Sequence, residues 1–208
     1  MKTLCRATAV AIAIMAAMWG PGPAAAQAAG DWTLGIGIGS VQPVSRSGRA
    51  AGAELEIGAA TRPTITVEYF PRDRIGIELM AATPFRHDIT LVGAGRIGSV
   101  THLPPILSLQ YHHATGGRVT PFVGLGLNLT NFFDERTEGL LTGADLQLRN
   151  STGLALHAGA DIAVSDRRSL RADIRWIDLD SDVILNGVKI GSARIDPVVL
   201  GAAYVLRF

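Results

Sequence analysis

The last fourteen residues, 195–208, read Ile-Asp-Pro-Val-Val-Leu-Gly-Ala-Ala-Tyr-Val-Leu-Arg-Phe, and this stretch decides the fold. From Val198 onward every second residue is apolar, and a period of two is typical of a β-strand. At roughly 3.3 Å per residue, such a strand is long enough to cross a bilayer at a tilt. The pattern therefore predicts either the terminal strand of a membrane barrel or an edge strand of a soluble β-sandwich.

The opposite end of the chain predicts export. Two basic residues and an apolar run over residues 7–19 are followed by small residues, which is the pattern of a secretory signal peptide. We predict a signal peptide over residues 1–26, with cleavage after Ala28 as the alternative, and a single domain over residues 27–208. The only cysteine, Cys5, lies within the peptide, so the mature chain has neither a disulfide framework nor thiol chemistry.

Charge and hydropathy narrow the class of protein further. Without Lys2 and Arg6 the 19 basic residues fall to 17 against 18 acidic residues, a net charge of about −1, which gives no indication of a nucleic-acid partner. No later stretch contains 18 uncharged apolar residues, so no helix of the mature chain is expected to span a membrane. A periplasmic β-sandwich and a membrane β-barrel remain.

The spacing of the strands favours the barrel. Alternating residues predict eight strands, over residues 32–41, 64–70, 75–82, 106–112, 119–131, 153–164, 170–179 and 198–208. Long loops over residues 43–61, 84–104, 132–150 and 181–194 alternate with short turns at residues 71–74, 114–117 and 165–168. An even strand count with short turns at one end is typical of outer-membrane proteins. We therefore predict an all-β, eight-stranded antiparallel transmembrane β-barrel with long external loops and short periplasmic turns.

Aromatic residues cluster near the predicted strand ends, as in the girdles of membrane barrels. Trp32, Tyr69 and Tyr111 fall near the periplasmic side, and Trp176 falls near the external side. Tyr204 and Phe208 share one face of the final strand and resemble the C-terminal signal by which bacterial outer-membrane barrels are recognised. We therefore expect the barrel-assembly machinery, outer-membrane lipid and lipopolysaccharide as partners.

The strand faces predict a charged lumen, because Arg or Lys facing lipid at the midplane costs about 2–4 kcal/mol. By alternation a set of mixed-sign residues points inward, mostly toward the periplasmic end: Glu68, Glu78, Asp161, Arg171, Asp173, Arg175 and Arg207. An eight-stranded barrel is only wide enough for side chains to fill. These residues are therefore expected to pair and plug the inner half, and their role could equally be structural alone.

The outer half of the lumen is predicted to be an apolar pocket. Small or apolar residues point inward there: Gly39, Val41, Met80, Ala82, Gly126 and Thr130. We expect empty space above the plug, with Gly126 as its clearest position. Such a pocket favours an apolar guest over an ion, and the guest needs a lateral exit into the bilayer. Pro104, Pro105 and Pro197 lack a ladder donor and could weaken the wall at such an exit.

Several stretches resemble one family, and together they cover essentially all of the mature chain. They are residues 80–89 (MAATPFRHDI), 101–105 (THLPP) running on through 109–111 (LQY), 121–128 (PFVGLGLN) with 132–135 (FFDE), 178–180 (DLD), 196–197 (DP) and 207–208 (RF). They are similar to the OmpW family of outer-membrane proteins, which includes AlkL-type alkane-import proteins. The resemblance implies an eight-stranded barrel linked to the passage of small hydrophobic molecules into the outer membrane.

Other chemistry is weakly indicated. His87, Asp88 and His102 share one predicted loop, but a metal site needs three or four converging ligands and loop histidines are usually solvated. His157 and Asp161 point inward without a serine at the same depth, so no catalytic set is predicted. We expect no metal, no cofactor and no enzyme activity. The alternative to transport is a structural or receptor barrel whose loops bind a phage, toxin or host factor.

Overall fold

The structure, a computed structural model, describes residues 27–43, 48–50, 53–93 and 95–208. The predicted signal peptide lies outside the described residues. Within them the chain forms fifteen strands and one 3-10 helix, Gly139–Leu141. The strands are β1 (Trp32–Gln42), β2 (Gly48–Ala50), β3 (Ala53–Ile57), β4 (Ala60–Arg72), β5 (Ile75–Ala82), β6 (Phe85–Leu91), β7 (Gly95–Leu103), β8 (Ile106–His112), β9 (Val119–Thr137), β10 (Leu146–Leu148), β11 (Ser151–Ser165), β12 (Arg168–Ile177), β13 (Asp180–Leu185), β14 (Val188–Arg194) and β15 (Val198–Arg207).

Eight of these strands close into an antiparallel barrel. They pair in the order β1, β4, β5, β8, β9, β11, β12 and β15, and β15 pairs back onto β1. The predicted fold class is therefore confirmed, and each barrel strand overlaps one of the eight predicted segments. Closure leaves no free sheet edge, which is the condition for a β-structure to span a bilayer.

The outer wall of this barrel is an apolar belt. Every barrel strand exposes large apolar side chains at alternate positions: Ile36, Ile38, Ile65, Val67, Ile77, Leu79, Leu107, Leu109, Val123, Leu125, Leu127, Leu129, Leu154, Leu156, Leu170, Ile174 and Leu200. These residues are roughly half exposed, a fraction that a water-soluble protein avoids over so large a continuous surface. Lipid chains are the solvent that suits such a wall.

The first and last barrel strands meet at the rim of the barrel that the sequence predicts to be periplasmic. The backbone N–H of Phe208 donates to the carbonyl of Trp32 over 2.9 Å, so the C-terminal residue seals the last strand onto the first. Trp32 packs against Tyr69 with ring centroids 4.8 Å apart, and Tyr204 points outward in the same girdle. The aromatic face of the final strand therefore faces lipid, where the assembly machinery would contact an assembly signal.

A second group of paired strands, which we call the external storey, lies beyond the outer end of the barrel. It runs in the order β10, β13, β14, β2, β3, β6, β7 and the outer part of β9. Each of the four predicted long loops therefore contains strand residues. The loop predicted over residues 84–104, for example, is a long hairpin of β6 and β7. Asn186 and Gly187 form the turn between β13 and β14, and both have positive φ, 50° and 79°.

A two-storey interior results from this arrangement. Within the membrane barrel most buried side chains are polar or charged, Phe70, Phe122 and Val205 excepted, whereas most of those in the external storey and at the top of the barrel are apolar. Among the described residues, no helix is both long enough and apolar enough to cross a membrane.

Candidate functional site

Arg171 is the centre of a buried charge cluster in the barrel lumen. Its Nε and Nη2 donate hydrogen bonds to the two carboxylate oxygens of Asp161, at 2.7 and 2.9 Å. The guanidinium also donates to Glu78 at 2.6 Å and to Glu68 at 3.2 Å. Phe122 lies beneath it, 4.5 Å from the guanidinium carbon to the ring centroid. Only 3 % of Arg171 is exposed, so every one of these contacts is shielded from water.

Arg175 extends the cluster toward the outside. Its Nη2 donates to Glu78 at 2.8 Å and its Nε donates to Asp173 at 3.1 Å. Glu78 therefore bridges both arginines, one on each carboxylate oxygen. β5 supplies Glu78, whereas β12 presents the two arginines and Asp173 on one inward face. The predicted pairing partners are thus brought together from opposite sides of the barrel.

Two histidines complete the cluster, and sequence reasoning missed both as members. His112 lies 2.8 Å from Glu68 through Nε2, and His157 lies 3.2 Å from Asp173 through its own Nε2. Gln110 joins the set through His157 Nδ1 at 3.2 Å. The alternation of residues 106–112 places His112 on the inward face, and this was the available signal. Its position next to a short turn instead predicted a location at the rim of the barrel.

We call this set the charged plug and define it as Glu68, Glu78, Asp161, Arg171, Asp173, Arg175, His112 and His157. Burial of an unpaired charge is costly, so satisfied pairing is the condition under which such a cluster is stable. A small cavity of about 20 Å³ adjoins the plug at Arg171, Asp173 and Arg175, which is room for about one water molecule.

Arg207 does not join the plug, contrary to the prediction. It lies on the inner face at the periplasmic rim, where it donates to the carbonyl of Asp166 and lies 3.7 Å from Asp31. Its side chain is 23 % exposed. The reason is depth, because Arg207 is level with Thr33 at the end of β1, below the layer of Arg171.

Above the plug lies a cluster of buried apolar side chains that we call the apolar compartment. Its members are Val41, Leu55, Met80, Phe85, Ile89, Ile97, Val100, Ile106, Phe132, Leu146, Leu148, Ala155, Ile177, Leu179, Val183, Ala193, Ile195 and Val199. Val41 and Met80 of the predicted pocket are fully inside it, and Ala82 packs against its edge. Gly39 lies close by, since an added Cβ would contact Thr64 and Val199.

The empty space that we expected in the outer half of the lumen is absent beside Gly126 and Thr130. Gly126 points inward, but a Cβ there would lie 2.5 Å from Ser108 Oγ and 2.7 Å from the carbonyl oxygen of Leu107. Thr130 is also engaged, because its hydroxyl donates to Asn128 Oδ1 over 2.6 Å. Glycine at 126 is thus needed for close strand packing, and the expectation of open space beside it is wrong.

His87 and His102 form a stacked pair inside the apolar compartment, which contradicts the expectation that they are solvated. Their Nε2 atoms lie 2.9 Å apart, and His87 Nδ1 lies 2.5 Å from the carbonyl oxygen of Gly58. Burial lowers the pKa of His102 to about 3 and also lowers the pKa of His87. Both rings are therefore neutral at pH 7. The described residues contain no group of three or more His, Cys, Asp or Glu side chains arranged to hold a metal ion.

The barrel wall has an interrupted ladder beside the apolar compartment. The β5–β8 pairing stops at Met80 and Ile106, and the β6–β7 pairing resumes at Phe85 and His102. In an antiparallel pair the N–H and C=O of one residue face the same neighbour. The carbonyl of Pro105 accepts from Leu129 of β9 over 3.0 Å, so Pro104 faces β5 and β6 across the interruption.

Pro84 contributes to the same interruption from the opposite strand. The N–H of Thr83 donates to the carbonyl of Pro63 in β4, and the carbonyl of Pro84 accepts from Arg62 Nε of the same strand over 3.1 Å. Neither proline has an N–H to donate. We call this place the proline seam. Pro197 behaves differently, because its carbonyl accepts from Ile177 over 3.1 Å and the ladder continues there.

A wide polar cleft lies elsewhere, between the start of β11 and the β13–β14 hairpin. Its volume is about 960 Å³, and it is lined by charged side chains such as Arg49, Arg149, Asp180 and Arg194. Arg194 pairs with Asp180 at 3.3 Å. This lining suits water and polar groups, so the cleft is not a continuation of the apolar compartment.

The closed barrel, its apolar belt and its aromatic girdle define an outer-membrane β-barrel protein. Comparison with known proteins agrees: residues 28–208 match the model of the OmpW family, and the chain belongs to that family. The predicted resemblance and the outer-membrane location are thereby confirmed.

Three relatives illustrate the similarity. Outer membrane protein W of Vibrio cholerae serotype O1 is 35 % identical over 191 residues, covering 86 % of this chain and 85 % of the relative. Outer membrane protein AlkL of Ectopseudomonas oleovorans is 28 % identical over 201 residues, 89 % of this chain and 86 % of the relative. The crystal structure of OprG from Pseudomonas aeruginosa superposes with a TM-score of 0.79 at 27 % identity, covering 88 % of this chain and 98 % of that one.

Proposed function

We propose that this barrel mediates the passive passage of small hydrophobic molecules from the exterior into the outer membrane. The observation that carries the proposal is the position of the apolar compartment directly above the charged plug. An apolar molecule gains free energy by leaving water for such a compartment, at about 25 cal/mol per Å² of apolar surface buried. The plug below offers it only buried charge, so the axial route to the periplasm is unfavourable.

The compartment is filled in the free protein, so a guest enters by displacing side chains. Met80 lies at its base and is 5 % exposed. Methionine adapts to irregular guests because it is unbranched and has three rotatable bonds. The small cavity lined by Leu55, Ile89 and Leu148 lies in the external storey and is wholly apolar. Entry from the external side is therefore the direction that the lining favours.

The proline seam is the exit that we propose. On one side it lies between Met80 of β5 and Phe85 of β6. On the other side it lies between His102 of β7 and Ile106 of β8. All four residues contact or border the compartment. Strands without ladder hydrogen bonds separate at lower cost than paired strands. A guest released there passes sideways into lipid, where its apolar surface stays out of water.

Closing the seam tests the proposal. The double variant Pro84→Val with Pro104→Val supplies the two missing N–H donors while it preserves apolar character. We expect uptake of n-octane by intact cells to fall to the level of cells that lack the barrel. Pro121→Val is the matched control, since Pro121 lies in β9 near the periplasmic turn and its carbonyl accepts from His113. The control should transport normally.

The outcomes separate the transport function from the proposed exit. Equal uptake with and without the natural barrel would refute transport and would favour a structural or receptor protein. Normal uptake by the folded seam variant, together with a clear difference between natural barrel and no barrel, would refute only the lateral exit. Folding of each variant is checked by heat-modifiable gel migration.

A further inference from the structure

One buried polar atom in the external storey lacks a partner. His102 Nδ1 is inaccessible to water and makes no hydrogen bond. The other side chains with such an atom, among the described residues, are Ser108, Gln110, His112, His157 and Arg175, and all belong to or adjoin the charged plug. His102 is different because it lies among apolar groups. Buried polar atoms are nearly always paired in folded proteins, so an exception calls for an explanation.

The protonation of the histidine pair follows from its hydrogen bonds. The carbonyl of Gly58 can only accept, so His87 carries its proton on Nδ1. Neutral His87 then has a bare Nε2, and His102 Nε2 must donate to it over 2.9 Å. His102 is left with a lone pair on Nδ1. The chain Gly58, His87, His102 therefore ends in a hydrogen-bond acceptor.

The surroundings of that acceptor are aromatic. Phe85 stacks on His102 with centroids 5.6 Å apart, and Phe132 lies 5.7 Å away on the other neighbouring strand. His102 as a whole is 5 % exposed. It also borders the proline seam, being the first residue of β7 that pairs with β6 beyond the interruption. A molecule that crosses the compartment toward the seam passes this atom.

We infer that His102 Nδ1 is a binding site for hydrophobic molecules that carry one hydrogen-bond donor, such as alkanols and phenols. The inference rests on the proposed function and names a preferred substrate class for it. The hydroxyl donates to Nδ1 while the hydrocarbon part packs against Phe85 and Phe132. A plain alkane occupies the same space and leaves the nitrogen unsatisfied. The site therefore discriminates between two molecules of equal length.

Titration of the purified barrel tests the site without any substitution. The ¹⁵N chemical shift of His102 Nδ1 is followed by NMR as 1-octanol or n-octane is added. We expect 1-octanol to move this resonance, because the lone pair accepts a hydrogen bond, and n-octane to leave it in place. No shift with 1-octanol, or an equal shift with both probes, overturns the inference.

Uptake by cells provides the second measurement. His102→Phe preserves an aromatic ring and removes the acceptor, and Phe133→Leu is the control, since Phe133 lies in the same storey but is 41 % exposed and is not part of the site. We expect His102→Phe to lower the uptake ratio of 1-octanol to n-octane by about three- to tenfold, the value of one hydrogen bond, and Phe133→Leu to leave the ratio unchanged. An unchanged ratio in a folded His102→Phe variant overturns the inference while transport stands. If neither probe enters faster with the natural barrel than without it, the proposed function fails and the titration alone decides the site.

Discussion

Replacing Arg171 with methionine tests the energetics of the charged plug. The natural side chain makes four hydrogen bonds of 2.6–3.2 Å to three carboxylates and is 3 % exposed. Methionine fills much of the volume but leaves Asp161 without its bidentate partner. Removal of one member of a buried ion pair costs about 3–5 kcal/mol, because the remaining charge stays buried and uncompensated. We expect Arg171→Met to lower the free energy of unfolding by about that amount.

Urea titration of the barrel in lipid vesicles measures this change, with the fluorescence of Trp32 and Trp176 as the signal. Arg194→Met is the matched control, since its side chain is 68 % exposed and its ion pair with Asp180 lies at the surface, at 3.3 Å. Partly exposed pairs contribute about 0–1 kcal/mol, so the control should unfold nearly as the natural barrel does. Adding Asp161→Asn to Arg171→Met should restore part of the loss, because it removes a stranded charge.

Equal stability of Arg171→Met and Arg194→Met would refute the reasoning, because it would mean that the buried carboxylates tolerate the loss of their common partner. A double variant less stable than Arg171→Met alone would contradict the explanation in a different way. It would show that Asp161 is held by contacts other than the guanidinium.

Further predictions concern assembly, conduction, packing and pH. Phe208→Asp should block assembly in the outer membrane, and full heat-modifiable migration of that variant would count against the terminal aromatic as a signal. The natural barrel should pass little ionic current in planar bilayers, and a stable conductance of porin size would contradict the plug. Gly126→Ala should destabilise the barrel by about 1–3 kcal/mol in urea titration, whereas Gly117→Ala should be neutral, since its Cβ would meet no atom closer than 3.6 Å. Between pH 6.5 and about 3 the unfolded chain binds a proton that folded His102 excludes, so stability should fall by about 1.4 kcal/mol per pH unit on acidification, and His102→Phe should reduce this slope.

The alternation of the strands could be predicted from the sequence because lipid accepts no charge. Leu125 and Leu127 had to face outward, and Glu68 and Glu78 had to face inward, whatever the neighbouring strands were. The same rule brought Arg171 and Arg175 into the lumen. Period two and the cost of a charge in hydrocarbon are local properties of each strand, so no knowledge of the pairing partners was required.

The external storey could not be predicted in this way. Residues 85–91 alternate as a strand does, yet their partners are β3 and β7, and β7 in turn pairs with residues of β9 that lie 28 to 39 positions further along the chain. In water a short alternating segment forms a strand only when such partners are in place. The burial of His87 and His102 depends on the same assembly, because Gly58 and Phe132 come from opposite sides of the storey.

Occupancy of the interior was decided by tertiary structure alone. The sequence shows that Gly126 faces inward, but the register of β8 against β9 places Ser108 opposite it and removes the space. The depth of Arg207 and the pairing of His112 with Glu68 likewise depend on how far each strand is staggered against its neighbours. Alternation specifies the face of a strand, whereas stagger specifies height, and only the closed barrel fixes the stagger.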